Sequence, residues 1–572
     1  MMAMNKSTIK SNLTLAALLT FTLFSIAFAQ TPPANAQSDV ASRVDQIFAR
    51  WDRPDSPGCA LGVIRDGKLI YKKGYGMANL EHDIPISPTT VFNIGSASNQ
   101  FTAMSILLLA RQGKLLLDDD IRKYLPELPA YRATITIRRL IHHTSGIRDR
   151  LDLMAMAGRD SDEAHREDDI IELLARQKEL NFEPGARRLY SNSGYVLLAM
   201  LVKRVSGKSL RQFANENIFN PLGMGNTGFQ DEGGMIVKNR ATDYLINNEG
   251  GFQMRTSNVA PVGDGGLLTT VEDLLLWDRN FYQNKLGEPE LISQFLTPGT
   301  LDDGEKTNYA FGLAADNYKG LKTTAIGGDF LGYRTELLRF PDQKFSVVCL
   351  CNFSRLSPTM IARQVADIYL ADQFKPQAAG EGQSGEAKFI QLSEQELNNK
   401  TGAFLDPILR RFWTLNIEDG KLAVSAINGM RFRIAPVSAT EFREFQVPVR
   451  IDVRFENRGE GERPLMRLSI DRQKSYVFEP VKLGAPTPSE LAEYAGEYYS
   501  DEAQVTYKVG VENNSLVVTA GRRPKIVLSP AIKDEFLFAG FNFDFTRDRQ
   551  NRVTGFLLDT ERSINVRFVR SR

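Results

Sequence analysis

The last third of the chain repeats itself at a fixed spacing, and this repeat constrains the fold more than any other feature. Similar residues recur 94 positions apart: 396–397 with 490–491, Gly402 with Gly496, Phe404 with Tyr498, 422–424 with 516–518, Pro436 with Pro530, and 441–442 with 535–536. Short strand-like runs separated by turn residues are typical of small antiparallel barrels. The sequence therefore predicts two β-barrel modules, at 390–483 and 484–572, whose common register is lost after an insertion near 457–463.

A segment rich in Gly, Ala, Gln and Pro precedes these modules. Residues 373–388 lack hydrophobic periodicity, so we predict a linker at 373–389. Before it, Asp66-Gly67 lies between two apolar runs and predicts a hairpin with a type I′ turn. A strand pair is predicted near 333–340 and 345–352, and helices near 38–51, 98–113, 167–178, 194–206, 271–283 and 358–372. Helices between terminal hairpins predict an α+β domain with a largely antiparallel sheet over 38–372.

The first 29 residues have the pattern of a secretory signal peptide. Lys6 and Lys10 precede an apolar run at 13–29, which ends in the small-x-small site Ala27-Phe28-Ala29. An uncleaved anchor is the alternative, because a run of about 17 residues is at the lower limit for a membrane span. Cleavage predicts a secreted or periplasmic protein without a further membrane span. Since 70 Lys+Arg face 69 Asp+Glu, no nucleic-acid partner is expected.

Cysteine and histidine are too few and too scattered for a predicted metal or cofactor site. Of three Cys, Cys349 and Cys351 share one face of a predicted buried strand, and pairing of either with Cys59 stays open. None of the four His lies at ligand spacing from a Cys. The G-x-G-x-x-G match at 223–228 follows no strand and opens no helix, so we interpret it as chance.

Three short sequence motifs follow one another along the first region. They are Ser96-Ala97-Ser98-Asn99 before an apolar helix, Tyr190-Ser191-Asn192, and Ile326-Gly327-Gly328 followed by Gly332-Tyr333-Arg334. In order and setting they resemble the serine β-lactamase and penicillin-binding superfamily, in particular its class C, D-aminopeptidase and esterase branch. Further similar stretches are 140–146, 220–224 and 266–270. The resemblance covers about 45–370, and the two barrel modules resemble the lipocalin-like barrels that D-aminopeptidase-type members carry.

The resemblance implies acyl transfer through a serine. In the family, the serine of S-x-x-K opens a helix, where free backbone N–H groups favour negative charge, and it forms an acyl-enzyme. The lysine one turn later and the tyrosine of Y-x-N move its proton. Two backbone amides hold the oxyanion. A K-T-G or H-x-G motif borders the cleft.

Carried over residue by residue, about half of this machinery is present. Ser96 takes the nucleophile position, and Tyr190 and Asn192 fill Y-x-N. The backbone N–H groups of Ser96 and Asp329 would form the oxyanion hole. Gly327 and Gly328 would line the cleft.

Two positions depart from the family pattern. Asn99 stands where the family has lysine, and Ile326 stands where it has the histidine of H-x-G. Asn99 is neutral, so it neither acts as a base nor lowers the pKa of Tyr190 by charge. General-base catalysis contributes about 10²–10⁴ in rate, so its loss would slow the reaction by a factor of that size. A rival register, with Lys322-Thr323-Thr324 as the third motif, lacks the glycine and fits the spacing to Gly332 less well.

Each candidate also has a purely structural interpretation. Ser96 alone could cap the following helix, Tyr190 could be a half-buried aromatic, and Asn192 could be a turn residue. We interpret His142 and His143 as structural. Arg187 and Arg188 could meet an anionic ligand or form a solvated pair.

Three functional hypotheses follow. The first is an exported family member whose acyl-transfer chemistry is weakened or lost, and which binds a small molecule or peptide in the old cleft. The second is an active hydrolase of the D-aminopeptidase, carboxypeptidase or esterase type. The third is a scaffold that acts through its tandem barrels. The ligand and the oligomeric state stay open, since fold does not decide them.

Overall fold

The computed structural model of the protein describes residues 34–159, 165–247, 249–254, 262–374, 389–407, 410–426, 431–444, 451–459, 461–470, 476–521 and 524–571. The predicted signal peptide at 1–29 and most of the predicted linker, 375–388, lie outside these ranges. Every helix within them is too short or too polar to cross a bilayer.

The first region alternates strands and helices, as the sequence predicts. Its strands are β1 (Cys59–Arg65), β2 (Lys68–Tyr75), β3 (Met77–Asn79), β4 (Ile84–Pro85), β5 (Phe92–Asn93), β6 (Gly228–Phe229), β7 (Tyr244–Ile246), β8 (Phe252–Met254), β9 (Leu267–Thr269), β10 (Ala314–Tyr318), β11 (Leu321–Phe330), β12 (Tyr333–Phe340) and β13 (Phe345–Cys351). Its helices are α1 (Ala34–Phe48), α2 (Asn99–Arg111), α3 (Ile137–Ile141), α4 (Arg150–Met156), α5 (Glu167–Ala175), α6 (Asn192–Ser206), α7 (Leu210–Ala214), α8 (Asn220–Leu222), α9 (Val271–Gln283), α10 (Pro289–Phe295) and α11 (Pro358–Tyr369). A 3₁₀ turn, Gly95–Ser98, leads directly into α2.

The central sheet is antiparallel, with strand order β10-β11-β12-β13-β1-β2. Asp66 and Gly67 connect β1 to β2 with φ of 50° and 69°, which are the two positive values that a type I′ turn requires. The predicted hairpin is therefore confirmed. Sequentially distant strands also pair, since β1 lies beside β13.

Both faces of this sheet are covered. Successive residues of its inner strands point alternately into two hydrophobic cores, one on each side of the sheet. On β1, Leu61 and Val63 face a core that includes α1 and α11, whereas Ala60 and Ile64 face the larger core that contains α2, α6 and α9. Buried residues on both faces produce the near-continuous apolar runs seen in β1 and β13. The predicted α+β class is confirmed.

A disulfide links β1 and β13, which are the first and last strands of this region in the chain but lie side by side in the sheet. Cys59 and Cys351 face each other in the β1–β13 register and are bonded, and Cys349 is a buried free thiol. This resolves the pairing that the sequence left open.

The second region forms two closed barrels, each of eight antiparallel strands within the described residues. The strands of the first are β14 (Gly402–Asp406), β15 (Arg411–Glu418), β16 (Lys421–Ala426), β17 (Arg431–Pro436), β18 (Glu441–Glu444), β19 (Ile451–Glu456), β20 (Leu465–Ile470) and β21 (Tyr476–Val481). Those of the second are β22 (Gly496–Ser500), β23 (Val505–Glu512), β24 (Ser515–Ala520), β25 (Ile526–Pro530), β26 (Glu535–Phe538), β27 (Phe541–Arg547), β28 (Val553–Asp559) and β29 (Val566–Arg570). The short helices α12 (Glu394–Asn398) and α13 (Pro488–Glu493) precede them, and each begins with a capping box.

The internal repeat corresponds to equivalent positions in the two barrels. Leu397 and Leu491, 94 residues apart, insert from α12 and α13 into the two barrel interiors. The register slips earlier than the sequence analysis placed it. Strands β18 and β26 still start 94 residues apart, but β19 and β27 start 90 apart. The longer connection between β18 and β19 causes the first slip, and the connection at 457–464 causes a second.

Candidate active site

Ser96 lies on a turn that packs directly against strand β11. We call Gly95–Ser98 the serine turn. Gly95 has φ +51, and a Cβ there would come within 2.7 Å of the Asp329 backbone. A Cβ on Gly328 would lie 1.8 Å from the carbonyl oxygen of Ile94. Only glycines allow this backbone-to-backbone approach, which brings the backbone of Asp329 beside the serine turn. The two amides of the predicted oxyanion hole are thus neighbours.

A buried aspartate positions the Y-x-N segment. Asn192 is the first residue of α6, and both its backbone N–H and its side-chain Nδ2 donate to Oδ2 of Asp149, at 2.6 and 2.9 Å. Asp149 is fully buried and also caps α4 by accepting from the backbone of Leu151. Asp149 was not predicted from the sequence, because no family motif includes it and a lone Asp before a helix predicts only a cap.

Asn99 occupies the position next to Tyr190 that the resemblance assigns to a lysine. It is fully buried, and its Nδ2 donates to the hydroxyls of Tyr190 at 3.0 Å and Tyr309 at 3.3 Å. Within the described parts of the chain, its Oδ1 has no hydrogen-bond partner. Burial raises the pKa of Tyr190 above its ordinary value, and the hydrogen bonds from Ser96 and Asn99 only partly offset this. Tyr190 is therefore a neutral phenol at physiological pH.

All predicted site residues except the buried Asn99 line one open cleft of about 700 Å³. Its lining includes Ser96, Tyr190, Asn192, Ile326, Gly327, Gly328 and Asp329. Ile326 is largely buried and forms an apolar part of the wall. The rival third motif is not in the cleft: Lys322 has 79% of its side chain exposed and lies 3.7 Å from Asp342. The packing of Gly328 on the serine turn favours the register that places Ile326 at the histidine position.

The adjacent histidines are buried structural residues, as predicted. Nδ1 of His142 lies 3.0 Å from the carbonyl oxygen of Tyr309. Nδ1 of His143 accepts from the backbone N–H of Ser191, and its ring packs against Tyr190 with centroids 4.2 Å apart. Burial lowers the pKa of His142 to about 4 and that of His143 well below its ordinary value. Both imidazoles are therefore neutral at pH 7.

The arginines before Tyr190 lie over aromatic rings. The Arg187 guanidinium is 5.6 Å from the ring centroid of Phe182, and that of Arg188 is 5.6 Å from that of Tyr309. Neither residue lines the cleft that contains Ser96. This favours the structural interpretation of the pair.

The second barrel contributes a wall of the same cleft, which the sequence analysis did not foresee. Glu561 and Arg562, on the loop between β28 and β29, line it. The Arg562 guanidinium lies 5.6 Å from the ring centroid of Tyr190, and its Nη1 is 3.9 Å from Oδ2 of Asp149. These residues are more than 460 positions from Ser96, and no local sequence signal connects them with it.

A buried ion pair holds the second barrel on the first region. Arg148 and Glu502 are 2.6 Å apart, with only 1% and 4% of their side chains exposed. Arg148 also donates to the carbonyl oxygens of Ile564 and Asn565. The cleft is therefore built from two parts of the chain.

The fold and the cleft together define a class. An antiparallel sheet whose edge region packs on a serine turn, with Y-x-N at the start of a neighbouring helix, is the architecture that the motifs of the serine β-lactamases and penicillin-binding proteins predict. The family model for beta-lactamases matches residues 44–370. The chain belongs to this family.

Known proteins similar to the chain include two D-aminopeptidases. That of Gluconobacter oxydans (strain 621H) is 27% identical over 322 residues, or 56% of this chain and 60% of the relative. That of Brucella anthropi is 29% identical over 297 residues, or 52% and 56%. The chain thus spans little more than half the length of these relatives. The solved octameric penicillin-binding protein homologue from Pyrococcus abyssi has the same fold, with a TM-score of 0.53 at 23% identity over 77% of this chain and 99% of that one.

Proposed function

We propose that this protein binds an N-acylated amino acid or short peptide in the cleft beside Ser96, and that it turns this ligand over slowly or not at all. The observation that carries the proposal is the contact between Asn99 and Tyr190. A neutral amide donates to the phenol where the family pattern has a cation. Among the described residues, no lysine hydrogen-bonds Ser96 or Tyr190.

The electrostatics of the cleft support weak chemistry. Tyr190 would need to lose its proton to act as a base, but its pKa is raised above the ordinary value of about 10. An active site with a strongly activated serine lowers such a pKa through a nearby charge. Removing the general base costs about 10²–10⁴ in rate, whereas ligand recognition through the oxyanion amides needs no proton transfer. Replacement of the base would therefore greatly reduce the catalytic rate but leave ligand binding largely intact.

The ligand class is inferred from the relatives. Two similar curated proteins are D-aminopeptidases, which supports a ligand built from D-amino acids. The identity is below 30% and the alignment covers 60% or less of each relative, so the substrate of this chain is our proposal.

An active hydrolase is the second candidate, and one contact favours it. Interaction with the Ser96 side chain partly lowers the raised pKa of Tyr190, which makes the phenol a possible acceptor for the serine proton. In this case Asn99 orients Tyr190, and a water or the phenol itself activates the serine.

Covalent labelling separates the two candidates. The mature protein is incubated with a fluorophosphonate and with a penicillin, and its intact mass is measured beside that of Ser96→Ala. We expect no stoichiometric adduct, together with saturable binding of N-acetyl-D-alanyl-D-alaninamide by calorimetry. An adduct that maps to Ser96 would contradict the binding function and support the active hydrolase. Turnover of a D-alanyl anilide that is lost in Ser96→Ala would do the same. Failure of the D-alanyl ligand to bind the folded protein would contradict the proposed ligand.

We also propose that the protein is exported and that residues 1–29 are removed. The disulfide between Cys59 and Cys351 supports this, because stable disulfides are typical of oxidising compartments. Expression of the full sequence in a bacterial host and mass measurement of the periplasmic or secreted product test it. The expected N-terminal residue is Gln30. Retention of the intact N-terminus in the membrane fraction would favour the anchor instead.

A further inference from the structure

The backbone of Arg562 is fixed against the first region from three sides. Its N–H donates to Oδ2 of Asp152 at 2.8 Å. Its carbonyl oxygen accepts from the backbone N–H of Asp149 at 3.1 Å and from Nδ2 of Asn181 at 2.7 Å. A residue whose main chain is held this firmly presents its side chain in a defined direction, here into the cleft beside Tyr190.

The guanidinium of Arg562 is charged, and its N–H groups are available to donate hydrogen bonds to a ligand. About one third of its side chain is exposed. Its guanidinium lies over the Tyr190 ring and 3.9 Å from Asp149, and the charges of Asp152 and Glu561 also act on it. Among the described residues, the guanidinium donates no hydrogen bond that meets ordinary distance limits. Asp149 itself already accepts three hydrogen bonds, from Asn192 twice and from Leu151. The buried carboxylate therefore attracts the arginine without occupying its fork of N–H groups.

The other charged groups around the cleft are engaged or solvated. Arg334 donates to the carbonyl oxygens of Leu331 and Tyr333, and its Nε lies 3.4 Å from Asp329. Glu561 lines the cleft beside Arg562, and it is solvent-exposed. Arg562 is thus the cleft cation whose hydrogen-bonding groups the described protein leaves available.

We propose that Arg562 is a specificity-determining residue that binds a carboxylate of the ligand, so that the cleft selects acyl-amino acids and peptides with a free carboxyl group. This inference rests on the function proposed above. A planar guanidinium matches a carboxylate with two parallel hydrogen bonds, and its position over an aromatic ring orients it for that contact. The same charge repels an ammonium, so a free amino group is disfavoured beside Tyr190. The second barrel thereby selects the ligand, while the first region holds the acyl group.

A pair of ligands that differ in one group tests the proposal. N-acetyl-D-alanyl-D-alanine and its C-terminal amide are titrated calorimetrically into the mature protein and into Arg562→Gln, Arg562→Lys and Arg567→Gln. Arg567 is an exposed arginine on β29 and serves as the matched control. Thermal unfolding of each variant confirms that it is folded, and mass spectrometry confirms that the ligands stay intact.

The expected result is that the acid binds roughly tenfold to one hundredfold more tightly than the amide, as charge-assisted hydrogen bonds predict. Arg562→Gln removes this preference, Arg562→Lys keeps part of it, and Arg567→Gln leaves it unchanged. Raising the salt concentration weakens binding of the acid but not of the amide. Equal binding of acid and amide, or a preference that survives Arg562→Gln, would overturn the role of Arg562 and leave the proposed binding function intact. Binding of neither ligand would overturn both.

Discussion

Substitution of Glu502 by Gln should increase the population of molecules in which the second barrel is detached from the first region. The side chains of Glu502 and Arg148 are almost completely buried, and the change leaves the Arg148 charge without its partner. The oxygens of Glu502 also accept from the backbone N–H groups of Lys178 and Arg567, at 2.9 and 3.1 Å. A glutamine would turn an NH₂ toward one of these donors.

The magnitude follows from the burial of the pair. Removing one partner of a buried ion pair costs about 3–5 kcal/mol. Taking about 3 kcal/mol, because three acceptors of Arg148 remain, the population of detached barrel rises more than one hundredfold. Those acceptors are the carbonyl oxygens of Ile564 and Asn565 and the side-chain oxygen of Gln177.

Hydrogen exchange measures this effect at the interface itself. The N–H groups of Arg562 and Ile564 donate across it, to Asp152 and Asn181, so their exchange reports opening. We expect about one hundredfold faster exchange of these two amides in Glu502→Gln, with the interior of the barrel unchanged.

The neighbouring residue provides a matched control. Asp501 pairs with Lys178 at 3.1 Å across the same boundary, but the side chains are 66% and 62% exposed. Asp501→Asn should therefore cost less than about 1 kcal/mol. If Glu502→Gln speeds exchange no more than Asp501→Asn does, the reasoning from burial is refuted.

Three further predictions concern the first region. Asn99→Lys with Ile326→His should raise esterase activity on a p-nitrophenyl ester by tenfold or more, since a base regains about 10²–10⁴ in an intact site; no gain in the folded double variant would show that the cleft has diverged elsewhere. Gly328→Ala should lower the free energy of unfolding by about 2 kcal/mol through overpacking, because its Cβ would lie 1.8 Å from a backbone carbonyl, whereas Gly225→Ala, which meets nothing within 4 Å, should be neutral in chemical denaturation. His142 has a folded pKa of about 4, so it stabilises the fold above pH 6.5 and this contribution is lost as the pH falls toward 4, by up to about 3 kcal/mol; His142→Gln should flatten the pH dependence of unfolding in that window, and an unchanged slope would contradict the assignment.

Local patterns predicted most of the elements. The two apolar runs and the positive-φ turn at Asp66-Gly67 between them specify the β1–β2 hairpin without help from distant parts of the chain. The repeat predicted two barrels because equivalent positions, such as Leu397 and Leu491, fill equivalent interiors. Such signals are short-range, and they survive in a single sequence.

Long-range contacts were not predictable in the same way. The disulfide partner of Cys59 depends on which strand lies beside β1, and strand order is a property of the whole domain. The roles of Asp149 and Arg562 depend on how a helix start and a barrel loop meet. The motif resemblance led to Ser96, Tyr190 and Asn99, but the charge that faces them comes from a module that no motif connects to the cleft.

The strand order of the central sheet also bears on how fast the protein folds. Strand β1 pairs with β13, and Cys59 and Cys351 are 292 residues apart in sequence. The sheet therefore closes only when almost all of the first region is available. Pairing over such a separation has a large loop-closure cost and slows folding. For a chain that we propose is exported, slow closure of the sheet would favour translocation before β1 and β13 pair, and the disulfide between Cys59 and Cys351 would then hold the two strands together.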